Sequence, residues 1–194
     1  MAKKTEWIYR EIIYQALELK RRRLTQSALA KRCGVSIGLV NKALAPLADI
    51  NAIEKKPRGF IVISPKKTML HWAGIRKLRN DIAYHTHSAK PVAQTEKEMP
   101  PCIFTCYSGF SRMFGRAPAD YGEVFVYANP ATVKERFPPK AGKPNIIVLK
   151  TDAHIGNFKA VPLGQMFVDL WNAGTWYAEE FLKAMEAELD KAGW

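Results

Sequence analysis

The sequence lacks long apolar runs. None approaches the roughly 18–20 residues that a helix needs to cross a bilayer, and the opening segment MAKKTEWIYR has no apolar stretch of the kind found in signal peptides. Cysteine is scarce as well, because only three occur among 194 residues, an odd number that does not suit a disulfide framework. We therefore expect a cytoplasmic protein with free thiols and no membrane partner.

Two motifs of common catalytic and metal sites are also missing. The sequence has no Gly-rich phosphate loop and no HExxH. His85 with His87 and Cys102 with Cys106 lack the usual zinc spacing, and on one strand the two cysteines would lie ~13 Å apart. We interpret them as surface histidines and buried free thiols, and we expect no metal and no cofactor.

Acidic residues are rare in the first half of the chain. Residues 1–90 contain 19 Lys and Arg against 6 Asp and Glu, whereas residues 91–194 contain 11 against 12. The net charge of +12 therefore belongs to the first half. Such a one-sided charge favours an anionic partner, most often nucleic acid. A basic surface that binds an acidic protein is the alternative.

The segment TQSALAKRCGVSIGLVNKALAPL (25–47) has the pattern of two short helices joined by a tight turn, and a further helix is predicted before it over 6–20. Thr25 and Ser36 suit the N-caps of the two short helices. Gly34 suits the left-handed residue that ends the first of them. The pattern is that of a helix-turn-helix. The second helix carries one apolar face, made of Val40, Leu44 and Leu47.

A basic hairpin is predicted next, with Pro-Arg-Gly (57–59) as the turn between two short β-prone runs. Residues 1–64 are therefore predicted to form a winged helix-turn-helix DNA-binding domain. A Ser-Pro pair then begins a predicted long connecting helix over 65–86. The apolar residues of this helix could pair two chains as a homodimer: Leu70, Trp72, Ile75, Leu78 and Ile82.

The second half of the chain is predicted to be separate. Residues 87–99 have the low hydrophobicity and the prolines of a linker, and strand and helix candidates alternate over 100–194. The expected fold class is α+β, with a small mixed α/β domain at the C-terminal end. The strand–helix–strand order over 105–128 resembles nucleotidyltransferase folds, so a degenerate fold of that kind is one candidate. That chemistry needs two carboxylates that alternate along the second strand, and only Glu123 is present, so we expect no catalytic residues.

The segment PLGQMFVDLWNAGTWYAEEFLKAM (162–185) combines a proline, a glutamine, a DLW triplet and a glycine break before a last helix. In this respect it resembles the closing segment of AbiEi-type regulators, the antitoxins of type IV toxin–antitoxin systems. The resemblance implies a winged-helix autorepressor whose functional partner is a nucleotidyltransferase-like toxin. It marks Gln165, Asp169 and Trp171 as candidate functional residues, although each also suits a structural role, as a helix start, an N-terminal acidic side chain and a core aromatic respectively. The residues that carry the resemblance are Pro162, Gln165, Asp169, Leu170, Trp171, Gly174 and Ala178.

The sequence thus favours a DNA-binding transcriptional regulator. The alternatives are a nucleotide-handling enzyme domain fused to a winged helix and a protein–protein interaction module. Double-stranded DNA would be read by side chains near the start of the second helix of the pair, and phosphates would be held by basic residues around it. The predicted base contacts are Ser36, Ile37, Gly38, Asn41 and Lys42. The predicted phosphate contacts are Arg23, Gln26, Lys31, Lys55, Lys56 and Arg58.

Overall fold

The structure is a computed structural model that describes residues 4–194, and its fold is mixed α+β. The helices of this part of the chain are α1 (Lys4–Leu17), α2 (Gln26–Cys33), α3 (Ile37–Asp49), α4 (Pro65–Ile75), α5 (Val92–Glu98), α6 (Cys106–Phe114), α7 (Pro130–Arg136), α8 (Leu163–Trp171) and α9 (Ala178–Ala192). The strands are β1 (Arg23–Leu24), β2 (Ile53–Lys56), β3 (Gly59–Val62), β4 (Ile82–Thr86), β5 (Ile103–Thr105), β6 (Val124–Ala128) and β7 (Ile146–Lys150).

The helix ends in the first half follow the local signals of the sequence. Thr25 Oγ1 accepts a hydrogen bond from the Ala28 amide at 3.2 Å and caps α2. Gly34 has φ of 60° and ends the same helix in the left-handed conformation. Ser36 Oγ accepts from the Leu39 amide, also at 3.2 Å, and caps α3. These three predictions are confirmed.

A three-stranded antiparallel sheet follows the helices, in the order β1-β3-β2. The hairpin turn lies at 57–58, within the predicted turn, and β1 (Arg23–Leu24) adds a strand at the end of the basic run that the sequence patterns did not indicate. Gly59 has φ of +144°, and a Cβ there would collide with the Leu24 carbonyl. This position therefore needs glycine, and it fixes how closely β1 approaches the hairpin.

The predicted helix over 65–86 is wrong in its second half. Helix α4 ends at Ile75, because Arg76 takes an extended conformation (φ −69°, ψ 141°) that directs its guanidinium into a buried cluster of carboxylates. After a 3-10 turn at Leu78–Asp81, residues 82–86 form β4 and pair with β7. Pairing with β7 gives the backbone N–H and C=O groups of these residues hydrogen-bond partners. In a longer helix, those partners would have been backbone groups of the helix itself.

The second sheet has the order β4-β7-β6-β5, in which only β6 and β7 are parallel. The strand candidates predicted over 100–194 are present as β5, β6 and β7, and β4 joins them from the segment assigned to the connecting helix. The predicted linker over 87–99 contains α5, and the sequence patterns did not indicate α7. Cys106 begins α6, so it does not share a strand with Cys102 as the spacing argument assumed.

One hydrophobic core extends through both halves of the molecule. It joins α1, through residues such as Ile12, to α6, α8 and the face of β6 that carries Phe125 and Tyr127. A smaller cluster covers the opposite face of β6, with Val124 and Val126 among its members. No helix within residues 4–194 has both the length and the apolar character to cross a membrane.

Candidate nucleic-acid interface and a buried polar network

Helix α3 presents one face to the core and one to solvent. Its buried face is Val40, Ala43, Leu44 and Leu47. The residues predicted to contact bases all lie on the other side, near the first turns. Ile37 is 50% exposed, and Ser36, Gly38, Asn41 and Lys42 are exposed as well. Among these residues, Ser36 also stabilises the helix, because its side chain caps the N-terminus of α3.

The hairpin and the start of α2 enclose a surface pocket of about 540 Å³. Arg23, Lys56 and Arg58 line it together with Thr25, the N-cap of α2. The amides at a helix N-terminus and the helix dipole favour an anion there. Three cations and a helix start thus face one depression, although Lys56 also forms an ion pair with Glu54.

A second depression, of about 430 Å³, lies at the start of α3. Lys4 and Lys31 line it, with Ser36 and Leu39 on the side of α3. The remaining predicted phosphate contacts are placed less specifically, since Lys55 is exposed on β2 and Gln26 is half-buried at the first position of α2. Positive charge therefore lies beside the exposed start of α3, at Lys4 and Lys31, and separately at the hairpin.

A network of buried charged groups connects the two halves of the chain, and sequence patterns did not reveal it. Arg10 on α1 forms a two-point ion pair with Asp152, with both N–O distances 2.9 Å. The Arg10 Nε donates to Gln165 Oε1 at 2.6 Å. His154 lies between Arg10 and Glu11, and because guanidinium only donates, its Nδ1 accepts from Arg10 (3.2 Å) while Nε2 donates to Glu11 (3.1 Å).

Arg76 is the second cation of this network. Its guanidinium donates to Asp169 at 2.9 Å, to Glu6 at 2.8 Å and to Asp81 at 3.2 Å. It also donates to the Tyr127 hydroxyl at 3.0 Å. Burial alone would lower the pKa of Arg76, but the surrounding acidic groups outweigh it and raise the pKa, so this residue stays charged.

Asp169 is the acceptor on which most of these bonds converge. It is fully buried and accepts from Arg76, from Gln165 Nε2 (2.8 Å), from the Tyr127 hydroxyl (2.7 Å) and from Thr105 Oγ1 (2.8 Å). A carboxylate offers about four acceptor sites, so these four donors fill them. Gln165 and Asp169 are therefore interior structural groups rather than residues of an open site.

Trp171, the third candidate from the family resemblance, has a different position. It is 47% exposed at the end of α8, and its ring packs against Phe167 with centroids 5.8 Å apart. The structural role expected for it, a core aromatic, is thus wrong, because the last turn of α8 lies at the surface. The structure does not bring Trp171 into the network of Gln165 and Asp169.

Glu123 is the one carboxylate that the sequence offered for nucleotidyltransferase chemistry. Glu123 directly precedes β6 and is almost fully buried, and burial raises its pKa. Its nearest cation is Lys143, at 3.9 Å. The five residues of β6 that follow are all buried and carry no carboxylate. Within residues 4–194 no group of three or more His, Cys, Asp or Glu side chains has a geometry suited to a metal ion.

Comparison with known proteins adds no relative: no protein-family model, no curated protein and no solved structure matches the chain.

Proposed function

We propose that this protein is a DNA-binding transcriptional regulator that places the start of α3 in the major groove. The observation that carries the proposal is the exposed start of α3 beside a basic depression lined by Lys4 and Lys31, together with a second basic depression at the hairpin lined by Arg23, Lys56 and Arg58. The groove is wide enough for one helix, and phosphates run along both of its edges. In this proposal, residues 4–64 act as a winged helix-turn-helix.

The exposed residues of α3 have side chains suited to base edges. Asn41 can bond an adenine edge at two points, and Lys42 can donate to guanine. Ile37 can contact a thymine methyl group, while Gly38 allows the backbone to come close. Each of the four is exposed and free of packing duty on the core face.

The basic residues around α3 would contact phosphates and fix its position without reading sequence. Arg23 and Arg58 line the hairpin depression, and Lys31 lines the one at the start of α3. Gln26, Lys55 and Lys56 complete this set in the proposal. Each neutralised phosphate releases counterions, so binding must weaken as salt rises.

The family resemblance extends the proposal. An AbiEi-type regulator would repress its own operon in the cytoplasm, with a nucleotidyltransferase-like toxin as its functional partner and no catalytic activity of its own. The buried network supports a structural reading of Gln165 and Asp169 within that family segment. The lack of a second carboxylate on β6 leaves the enzyme alternative without an observation in its favour.

The test is footprinting and titration of the full chain on the DNA upstream of its own gene. Between 50 and 200 mM salt, affinity should fall by roughly a hundredfold or more if five or six phosphates are contacted. A random duplex of equal length serves as the reference for specificity. Absent binding, or binding that does not respond to salt, would overturn the proposal and favour the protein–protein alternative.

A further inference from the structure

A small cavity lies in the second half of the molecule, remote in sequence from α3. It has a volume of about 320 Å³, opens to solvent and is lined by residues of β5, α6 and 159–161. Its walls are largely apolar, with Ile103, Phe104, Met113 and Val161 among the lining residues. This volume is at the lower end for ligand pockets, so only a compact molecule fits.

Two cations stand at the same cavity. Arg112 places its guanidinium 3.9 Å above the centre of the Phe104 ring, and its nearest carboxylate oxygen, from Glu96, is also 3.9 Å away. Lys159 is exposed, and within the described part of the chain no hydrogen bond or ion pair engages its ammonium. No acidic residue lines the cavity. The pocket therefore combines apolar walls with two cations, of which Arg112 has one distant carboxylate, Glu96, outside the lining and Lys159 has none within residues 4–194.

We propose that this cavity binds a small organic carboxylate with a compact aromatic or aliphatic body. The body would occupy the space between Phe104, Met113 and Val161, and the carboxylate would receive hydrogen bonds from Arg112 and Lys159. A guanidinium that already stacks on an aromatic ring is held in place for such a bond, which lowers the entropy lost on binding. A cationic ligand would meet like charge, and a neutral one would leave Lys159 without a counter-charge.

The location gives the site a connection to the first half of the chain. Residues 159–161 precede Pro162, the N-cap of α8, whose first amide, from Leu163, donates to Glu18, the residue after α1, at 3.0 Å. Two residues later, Gln165 accepts from Arg10 of α1. A bound carboxylate would thus contact the segment that precedes the contacts between α8 and α1.

The test compares three probes of nearly equal shape on the full chain: benzoate, benzamide and benzylamine. Binding is followed by NMR through the ¹³C-labelled methyl group of Met113, which a Met113→Leu variant assigns. Benzoate should give a saturable shift with an affinity about tenfold higher than benzamide, as expected of a charge-assisted hydrogen bond. Benzylamine should give none.

Variants locate the effect. Arg112→Gln and Lys159→Gln should each weaken benzoate by about tenfold, whereas Lys134→Gln, an exposed cation on α7, should leave binding unchanged. Circular dichroism of each variant checks the fold. Equal affinity for benzoate and benzamide would overturn the proposal, as would the lack of a saturable shift at Met113 or equal binding by all three variants.

Discussion

Arg10 and Asp152 form a buried two-point ion pair, although 142 residues separate them in the sequence. Both side chains are at most 2% exposed. The pair joins α1, which packs against α2 and α3, to the segment after β7. Two charges in the interior are tolerated only when the remaining donors and acceptors are satisfied, and here Gln165, His154 and two backbone amides supply those bonds.

Asp152→Asn should lower the free energy of unfolding by about 3–5 kcal/mol, because it leaves the Arg10 charge buried without its counter-charge. Urea unfolding of the full chain measures this change. A double variant, Arg10→Met with Asp152→Leu, removes both charges and should lose less than the single variant. A loss below about 1 kcal/mol in the single variant would contradict a buried pair and match an exposed one.

The same pair predicts a loss of stability in acid. Burial alone would raise the pKa of Asp152, but the hydrogen bonds and the charge of Arg10 outweigh it and hold that pKa below its usual value. A carboxyl group whose pKa is lowered on folding stabilises the fold at pH values above its unfolded pKa of about 3.9. This stabilisation disappears as pH falls through the lower pKa of the folded state. The wild type should therefore lose stability below about pH 4, and Asp152→Asn should show a smaller slope over that range.

Asn41 and Lys42 should determine which sequence is bound, whereas Lys55 and Arg58 should determine how strongly any duplex is bound. Asn41→Ala should cost about 1–3 kcal/mol on the specific site and little on random DNA. Arg58→Ala should weaken both duplexes alike and reduce the salt slope by about one. All four residues are exposed, so stability should not change. Equal losses on both duplexes for Asn41→Ala would make it a backbone contact.

The sequence predicts well the elements that local chemistry determines. The caps at Thr25 and Ser36 and the left-handed Gly34 are each decided by residues within one turn, so their patterns are sufficient. The strands β6 and β7 are continuous apolar runs, as expected of strands buried on both faces. The candidate interface on α3 follows from the same local periodicity.

The sequence does not predict features that depend on distant partners. Arg76 fits a helical pattern, and only its bonds to Glu6 and Asp169, 70 and 93 residues away in the chain, explain why α4 stops before it. Arg10 and Glu11 on α1 would be taken for a solvated face, yet both are buried. Long-range pairs of this kind leave no periodic signal.

Glu18 should make stability depend on pH near neutrality. Burial raises its pKa to about 7, against the opposing hydrogen bond from the Leu163 amide. Because the pKa of Glu18 is higher in the folded than in the unfolded protein, its contribution to stability is fully present below the unfolded pKa of about 4.3. This contribution is lost as pH rises through 7. Glu18→Gln keeps the acceptor and cannot ionise, so at pH 8 it should be more stable than the wild type by roughly 3–4 kcal/mol.

Unfolding in urea at pH 5 and pH 8 measures the Glu18 effect, and the difference between variant and wild type should shrink at the lower pH. Glu135→Gln, on an exposed position of α7, is the matched control and should change neither value. A Glu18→Gln advantage that is equal at both pH values would mean that ionisation is not its cause.

Pairing of two chains on DNA remains a prediction, but the structure changes the residues that test it. Trp72 and Leu78, two of the five apolar residues assigned to a pairing surface, are buried within the chain, whereas Leu70 (37%) and Ile75 (49%) are exposed. Leu78→Asp would place a carboxylate in the core and unfold the protein. Leu70→Glu alters the surface alone.

If two chains pair through this face, footprints should show two half-sites about 10 bp apart, with recognition helices about 34 Å apart. Leu70→Glu should then weaken binding to the two-site duplex and leave a single half-site unaffected, because only the first requires contact between chains. Stoichiometry from light scattering on each duplex measures the outcome. One chain per half-site, with no effect of Leu70→Glu on either duplex, would remove the dimer and leave a monomeric DNA-binding protein.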